Sequence, residues 1–515
     1  MISFPDTPND TYLVQYRNVL SAIRTLLGNP AHAKHIVYCP KKIFTNARKE
    51  SRIYHEMWTG KWWHAIQVSM VMYLPLTVTY RIFGIGSSTI WAALAPVIIA
   101  MDKTQLTQFS NSKSAYPVYL TLGNIPRAIR RKPSQHACIL IGYLSVNKVT
   151  GSQHTAKKKS SRVQRLFHES MQIILEPLKR HLILRVKRQP EKMILCVGME
   201  CQAVHPTLAC YVADYPEQCL VTCTKYGTCP KCKRPASELS ESTAGEPRTQ
   251  TWTEKVIYDA KVNVNSFNQF HEWCKEKEVS GGVYEPFWLN FPHCDIHLSV
   301  SPDILHQLCQ GVFKHMVNWC KNLMDPKELD QRISSLPACY GVCHFRNGIS
   351  ALGQIGGKER KNMARILLGC LIGKIPRSAI LAYQSLLDFI QIAQYPTHDD
   401  TTLGYLSHAL DTFHKHKDIL VRLNIRKHLN IPKFHSLLHY CQFITWFGTT
   451  DNYNTKMFER FHINFAKEGW RASNKRNEAP QMVTWLLRCE KVVAFQSYLK
   501  MTMNNEEDKF PHSKF

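Results

Sequence analysis

The pattern of apolar and polar positions divides the chain into a strand-rich first half and a helix-rich second half. Short apolar runs at 95–100, 115–122, 137–144 and 207–213 end at turn residues, which is typical of buried strands. Beyond about residue 257, apolar residues recur at helical spacing, and one of these helices carries His435 and His439 on a single face. The sequence therefore predicts an α/β fold in which a large, mostly helical segment follows a sheet.

Two of the predicted strands are followed directly by an aspartate. Asp102 comes after the run APVIIAM, and Asp214 comes after the run LACYVA. The strands at 115–122 and 137–144 follow Asp102 closely, so we expect the three to form a meander. A strand holds the side chain at its end rigidly, which makes both aspartates candidate catalytic acids. A capping or turn role is the simpler alternative for each.

Composition and spacing also predict the domain organisation. We expect no membrane span in the apolar stretch, because Pro75, Arg81 and two glycines interrupt it. The predicted segments are a helical N-terminal lead-in (1–66), an atypical and poorly ordered apolar insertion (67–94), the first part of a catalytic core (95–218), a four-cysteine loop (219–235), a mostly helical insertion (236–445), C-terminal helices that complete the core (446–502) and a polar tail (503–515).

Four cysteines between residues 219 and 232 have the spacing C-x3-C-x5-C-x2-C, with Gly227 and Pro230 supplying turns. The polar first twenty residues do not resemble a secretory signal, so we expect these thiols to be reduced or to bind metal. Four thiolates can complete a tetrahedral zinc site. The sequence thus predicts a small zinc-knuckle-like loop at Cys219, Cys223, Cys229 and Cys232, with packing cysteines as the alternative.

The charge of the chain indicates a polyanionic partner. Sixty-five Lys and Arg residues stand against 39 Asp and Glu residues, giving a net charge of +26 spread along the sequence. Nucleic acid is the expected partner of such an excess, although a merely basic soluble protein has the same composition. The cluster Arg127, Arg130, Arg131 and Lys132 is the predicted set of phosphate contacts.

A third acid, Glu459, lies far along the chain in the helical stretch KMFERFHINFAKEGW. Together with the two strand-end aspartates, it can hold two Mg²⁺ or Mn²⁺ ions, because these hard cations prefer carboxylate oxygens. Asp303, His306 and His462 are candidate accessory residues. A purely structural helix fits the same pattern equally well, in which case Asp303 or Glu468 is the alternative third acid.

Long motifs within residues 10–500 resemble the Plavaka-type transposases of the Kyakuja-Dileera-Zisupton assemblage, which are related to CACTA-type elements. The resemblance rests on APVIIAMDKTQLT, HPTLACYVADYPEQCLVTCTKYGTCPKC, SPDILHQLCQGVFKHMVNWC and FGTTDNYNTKMFERFHINFAKEGWRASNK. It implies a ribonuclease H-like mixed sheet, a large helical insertion before the last acid, and an Asp-Asp-Glu triad of Asp102, Asp214 and Glu459. The implied activity is cut-and-paste transposition, in which element ends are cleaved and the freed 3′-OH attacks target DNA.

The resemblance also implies partners, a location and two departures from the family pattern. The implied partners are element-end and target DNA in the nucleus, and homo-oligomerisation is left open. Residues 1–66 correspond to a shortened family N-terminus, and residues 68–94 resemble translated intron sequence inside the core. A catalytically inactive, domesticated DNA-binding derivative is therefore the alternative function. An unrelated zinc-containing RNA-binding protein would require aromatic stacking motifs, which we do not find.

Overall fold

A computed structural model describes residues 1–73, 93–107, 113–147, 149, 155–180, 184–187, 201–353 and 355–507 of the protein. A mixed β-sheet lies between two layers of helices, and a helical body with its own core is joined to it. The strands, in chain order, are β1 (Ile2–Phe4), β2 (Thr7–Tyr12), β3 (Gln15–Tyr16), β4 (Ile43–Phe44), β5 (Arg52–Ile53), β6 (Ala93–Met101), β7 (Thr104–Gln105), β8 (Ser114–Leu122), β9 (Ile139–Leu144), β10 (Leu184–Lys187) and β11 (Cys201–Val212).

The central sheet has the strand order β10-β11-β6-β8-β9-β3, and β7 pairs with β8 beside this path. Strands β6, β8 and β9 are consecutive antiparallel neighbours, which confirms the predicted meander. Strand β11 pairs with β6 in parallel, and Val212 lies opposite Ala100. The two strands therefore end at the same edge of the sheet, each just before an aspartate.

Strand β6 is buried on both faces, which explains its continuous apolar sequence. Its alternate residues Val97 and Ile99 face one core, which the helices Val19–Leu27 and Ala156–Lys179 cover. Ile98 and Ala100 face the other core, to which helices from the N-terminal region and the C-terminal third contribute. Both layers fix the strand, and with it the position of Asp102.

The N-terminal lead-in is less helical than predicted. Strands β1 and β2 form an antiparallel hairpin, and β3 adds to the edge of the central sheet beside β9. In β1 the side chains alternate, with Ile2 and Phe4 buried and Ser3 exposed, so this segment has the period of a strand. Within the lead-in, the α-helices are Val19–Leu27 and the start of Lys61–Tyr73.

The second half of the chain is mostly helical, as the spacing of apolar residues predicts. Its core includes stacked rings of Trp319 and Phe434, whose centroids lie 5.3 Å apart. Besides the helices named above, the structure contains Arg127–Arg130, Tyr215–Val221, Gln250–Asn263, Phe267–Glu276, Ile296–Ser299, Phe313–Leu323, Pro326–Ser334, Gly357–Leu371, Arg377–Ile392, Asp400–His416, Ile419–Arg422, Pro432–His435, Tyr440–Phe447, Thr455–Phe461, Glu468–Arg471 and Glu478–Glu507, with π-helical segments at Ile304–Val312 and His462–Lys467.

The predicted apolar insertion lies mainly outside the described residues. Helix Lys61–Tyr73 continues into its first residues, and β6 begins at Ala93, while residues 74–92 are not described. The expectation that this insertion is poorly ordered therefore stays a prediction. Among the described residues, no helix has both the length and the apolar character needed to cross a membrane.

Candidate active site and metal centre

The candidate active site begins at the end of the sheet where the C-terminal residues of strands β6 and β11 lie side by side. Asp102 follows β6, and its side chain is about one-third exposed. Asp214 follows β11 and caps helix Tyr215–Val221, since its Oδ1 accepts a hydrogen bond from the backbone N–H of Glu217 at 3.1 Å. Because β6 and β11 are parallel neighbours, both carboxylates lie at the same side of the fold.

Glu459 joins this edge from the C-terminal third of the chain. It lies on helix Thr455–Phe461, which packs against the sheet through Phe458 and Phe461. Ligand atoms of Asp102, His306 and Glu459 all lie within 4.8 Å of one another. The fold thus brings together a strand end, a π-helical segment and a late helix that are far apart in sequence.

His306 connects Glu459 to the buried residue Asp303. Its Nε2 lies 3.2 Å from Oε1 of Glu459, and its Nδ1 lies 2.8 Å from Oδ2 of Asp303. Burial alone would lower the pKa of His306, but the hydrogen bonds to Asp303 and Glu459 raise it to about 10. His306 thus lies between two carboxylates and connects the side chain of Glu459 to the buried side chain of Asp303.

Asp303 is a structural anchor rather than an exposed acid. Its side chain is fully buried, caps the segment Ile304–Val312 and accepts a hydrogen bond from Oγ1 of Thr455 at 2.7 Å. Burial would raise the pKa of its carboxyl, but the hydrogen bonds from His306 and Thr455 lower it below the usual value. Since Thr455 begins the helix that carries Glu459, Asp303 ties the two elements together.

Two further acidic side chains, Asp214 and Glu217, lie close to Asp102 and are buried more deeply. Burial raises the pKa of Asp214, and the nearby Asp102 carboxylate raises it further, against the opposing hydrogen bond from the Glu217 backbone. The Glu217 side chain is buried as well, and burial together with Asp214 and Asp102 raises its pKa well above the usual range. A bound cation would relieve this repulsion.

The donor set fits hard divalent cations. Asp102 and Glu459 offer partly exposed carboxylates. Among the described residues, no group donates a hydrogen bond to Oδ2 of Asp214. Oxygen ligands of this kind suit Mg²⁺ and Mn²⁺. The buried Asp303, whose two oxygens already accept hydrogen bonds, is less suited to a metal. Its placement argues against Asp303 as the third acid.

A second group of potential metal ligands forms a buried cluster of two cysteines and two histidines. Sγ of Cys229 lies 3.3 Å from Nε2 of His439, and Sγ of Cys232 lies 3.1 Å from Nε2 of His435. All four residues are buried, and their ligand atoms lie within 4.8 Å of one another. Tetrahedral zinc with thiolate and imidazole ligands requires sulfur–nitrogen separations of about 3.5 Å, close to those observed.

Hydrogen bonds with surrounding residues orient the members of the cluster. Nδ1 of His435 lies 3.2 Å from the carbonyl oxygen of Leu239, so it donates there and leaves the Nε2 lone pair directed at the cysteines. Nε of Arg248 donates to the carbonyl oxygens of Cys229 and Cys232 at 2.9 and 3.0 Å. These contacts fix the cysteine knuckle and the histidine tautomer before any ion binds.

The other two predicted zinc ligands lie elsewhere. Cys223 belongs to the core on the opposite side of the sheet from Glu459, where its Sγ lies 3.5 Å from Nε2 of His168. Cys219 is buried on helix Tyr215–Val221, and burial raises the pKa of its thiol to about 12. Neither residue belongs to the Cys229–Cys232 group. The structure therefore brings Cys229 and Cys232 together with two histidines and does not bring the four predicted cysteines together.

The sequence profile of the Plavaka transposase family matches residues 3–320 of the chain. This match covers more than half of the protein. The chain belongs to the Plavaka transposase family. Membership indicates a transposase-like function that acts on DNA and uses divalent metal. No curated protein is similar enough to the chain to be matched to it.

The Plavaka match covers only part of both candidate sites. It includes the two strand-end aspartates, the Cys229–Cys232 knuckle and the segment with Asp303 and His306, but it ends before His435, His439 and Glu459. Contacts in the structure connect His435, His439 and Glu459 to the region that matches the family. The sequence places both histidines on one face of a predicted helix, but this spacing alone does not assign them a metal role.

The basic cluster predicted to bind DNA has two different environments in this Plavaka protein. Arg130 is fully buried, and its guanidinium donates to the backbone and side-chain oxygens of Asn452. Arg127 is largely buried between Glu56 and the carbonyl oxygen of His55. Both side chains are therefore engaged within the fold, and we restrict the predicted phosphate contacts to the exposed Arg131 and Lys132.

Proposed function

We propose that this Plavaka family protein cleaves and joins DNA strands by a two-metal Asp-Asp-Glu mechanism. The observation that carries the proposal is the convergence of Asp102 and Glu459, whose ligand atoms lie within 4.8 Å of each other in a group with His306. Asp214, at the end of the neighbouring parallel strand, completes the set. In this proposal, three acids from three separate elements would share one partly open site.

The proposal includes a ribonuclease H-like core. Its support is the strand arrangement: an antiparallel meander of β6, β8 and β9, followed by β11 in parallel beside β6. The first two acids lie at the ends of the adjacent strands β6 and β11, and the third lies on a helix packed against the same sheet. This is the arrangement that the family resemblance implies.

In this mechanism Asp102, Asp214 and Glu459 would hold two Mg²⁺ ions. Such ions activate the attacking oxygen and stabilise the leaving oxygen during phosphoryl transfer. The protein's part is to fix the carboxylates: β6 and β11 set the two aspartates, and His306 with Asp303 sets the helix that carries Glu459. The excess positive charge of the chain attracts the DNA.

The Cys229, Cys232, His435 and His439 cluster would hold a structural zinc ion in the same proposal. Cys229 and Cys232 come soon after the second acid, and the two histidines precede the third acid in sequence. A metal at this cluster joins these two parts of the chain across the helical insertion. Closed sites of four thiolate and imidazole ligands stabilise folds rather than react.

A cleavage assay tests the proposal against the inactive-derivative alternative. We expect purified protein to nick DNA that carries the element ends in the presence of Mg²⁺ or Mn²⁺. Asp102→Asn, Asp214→Asn and Glu459→Gln should each abolish nicking and leave DNA affinity nearly unchanged, because basic residues carry binding. Glu468→Gln, on the helix that follows, is the matched control and should cleave normally. Absence of cleavage by the wild type under these conditions would support the inactive derivative.

A further inference from the structure

His462 lies one helical turn beyond Glu459, beside Asp102, and its environment is unusual for a buried histidine. Only 5% of the residue is exposed, and its Nε2 has no hydrogen-bond partner among the described residues. That nitrogen lies 3.9 Å from Oδ2 of Asp102. A buried polar atom without a partner is costly, so its direction toward a candidate metal ligand requires an explanation.

The other ring nitrogen of His462 determines which tautomer is present. Nδ1 lies 2.8 Å from the hydroxyl oxygen of Tyr119, a residue that is fully buried in the middle of β8. Among the described residues, this hydroxyl has no other hydrogen-bond partner, so it donates its proton to Nδ1. In the neutral ring, Nε2 therefore carries the hydrogen. It points toward Asp102 as a donor and offers no lone pair to a metal.

The rings around His462 hold it in place. The centroid of Tyr119 lies 5.5 Å from that of the imidazole, and the rings of Phe461 and Phe465 pack against Tyr119 from the same helical region. Asp102, by contrast, is about one-third exposed and follows the last residue of β6. Asp102 is therefore the partner that can move, and a shift of about 1 Å closes the gap to hydrogen-bond distance.

We propose that His462, held by Tyr119, is a positioning residue that donates its Nε2 hydrogen to Oδ2 of Asp102 and so directs Oδ1 toward a divalent cation. The inference rests on the proposed function, since it assumes that Asp102 binds metal. Hydrogen bonds to a ligating carboxylate commonly fix its orientation, and their loss lowers metal affinity about 10- to 100-fold. The Tyr119–His462 pair supplies such a bond from the buried side of the site.

Binding of Mn²⁺ to DNA-free protein, followed by electron paramagnetic resonance of the free ion, tests the inference without requiring activity. His462→Asn retains an amide near Tyr119 but cannot reach Asp102, and we expect it to weaken Mn²⁺ binding about 10-fold or more. His462→Gln extends an amide N–H to the position of Nε2 and should restore most of the affinity. A folded His462→Asn protein with wild-type Mn²⁺ affinity would overturn the inference.

Two further variants keep the test decisive. If His462→Asn does not fold, Tyr119→Phe is used in its place. This variant keeps the aromatic ring at position 119 but removes the hydroxyl that fixes the tautomer of His462. We expect Tyr119→Phe to bind Mn²⁺ more weakly than His462→Gln, and the reverse order would count against the proposed role. Asp102→Asn distinguishes a failure of this inference from a failure of the proposed function. If it leaves Mn²⁺ binding intact, the proposed function itself fails; if it abolishes binding while His462→Asn does not weaken it, only this inference fails.

Discussion

The buried guanidinium of Arg130 donates hydrogen bonds to two oxygens of Asn452, the carbonyl at 2.7 Å and the side-chain amide oxygen at 2.8 Å. Asn452 in turn donates from Nδ2 to the carbonyl oxygen of His55 at 2.6 Å. The turn that carries Asn452 follows Gly448, which has a φ of 84° that favours glycine. These contacts fix the chain immediately before the helix of Glu459.

Replacing Arg130 with Ala should therefore destabilise the protein strongly. The substitution leaves the buried oxygens of Asn452 and the carbonyl oxygen of Ile125 without their donor. We expect the free energy of unfolding to fall by about 3 kcal/mol or more, as for other buried charged groups that lose a partner. Chemical denaturation measures this loss. Arg131→Ala, at the exposed neighbour, should change stability by no more than about 0.5 kcal/mol, and equal losses in both variants would refute the assignment.

The sequence could predict the strands and the two aspartates because local patterns determine them. The apolar runs of β6 and β11 match strands buried on both faces, and the acid after each follows directly. The role of Arg130 could not be predicted in the same way. A cluster of basic residues has the same sequence pattern whether it is exposed or buried, and the partner that buries Arg130 lies more than three hundred residues away.

The metal cluster illustrates the same limit. Four closely spaced cysteines suggested a local site, but ligands are selected by where side chains point in the fold. Cys219 lies on a helix and Cys223 enters the main core, so only the C-x2-C pair remains free to meet His435 and His439. Long-range pairing across a helical insertion leaves no periodic trace in the sequence. The histidine spacing became informative only beside the cysteine knuckle.

The pH dependence of stability should report on His168. This ring is fully buried, accepts a hydrogen bond from the N–H of Phe287 and donates to the carbonyl oxygen of Leu220. Burial lowers its pKa to about 4, below the usual value, so between pH 6.5 and pH 4 the unfolded chain binds a proton that the native state resists. Its contribution to stability is complete above pH 6.5 and is lost as pH falls.

The expected loss from this group alone is about 2 kcal/mol between pH 7 and pH 5. Other buried histidines titrate too, so the comparison must be with His168→Gln, which cannot gain the proton. Denaturation at several pH values should show that the stability difference between wild type and variant shrinks as the solution becomes more acidic. A difference that stays constant with pH would contradict a neutral, buried His168.

DNA binding should be mainly electrostatic. The net charge of +26 indicates many phosphate contacts, and each contact on duplex DNA contributes about −0.9 to the slope of log affinity against log salt. Replacing both exposed residues Arg131 and Lys132 with Ala should reduce the magnitude of that slope by roughly one for each phosphate contact that is lost. Fluorescence anisotropy at several salt concentrations measures it. Binding that does not respond to salt, or a slope unchanged in the double variant, would exclude this cluster.

Metal analysis should distinguish the two possible zinc ligand sets. In the structure, Cys229 and Cys232 share a buried cluster with His435 and His439, whereas Cys219 and Cys223 lie outside it. Purified protein should contain about one zinc per chain, because four ligands at these separations complete a closed tetrahedral site. The double variant Cys229→Ser, Cys232→Ser should lose that zinc. Since zinc would join segments on either side of the helical insertion, the same variant should also unfold more readily.

The matched double variant Cys219→Ser, Cys223→Ser carries the same chemical change a few residues earlier in the chain. It should keep its zinc, although it introduces two hydroxyls into buried positions and so has some cost in stability. His435→Ala or His439→Ala should lower zinc affinity, because the site then opens to solvent with three protein ligands. Equal zinc loss from both cysteine variants, with no effect of either histidine change, would restore the four-cysteine site. Zinc content therefore decides whether the cluster joins distant segments or closes a single local loop.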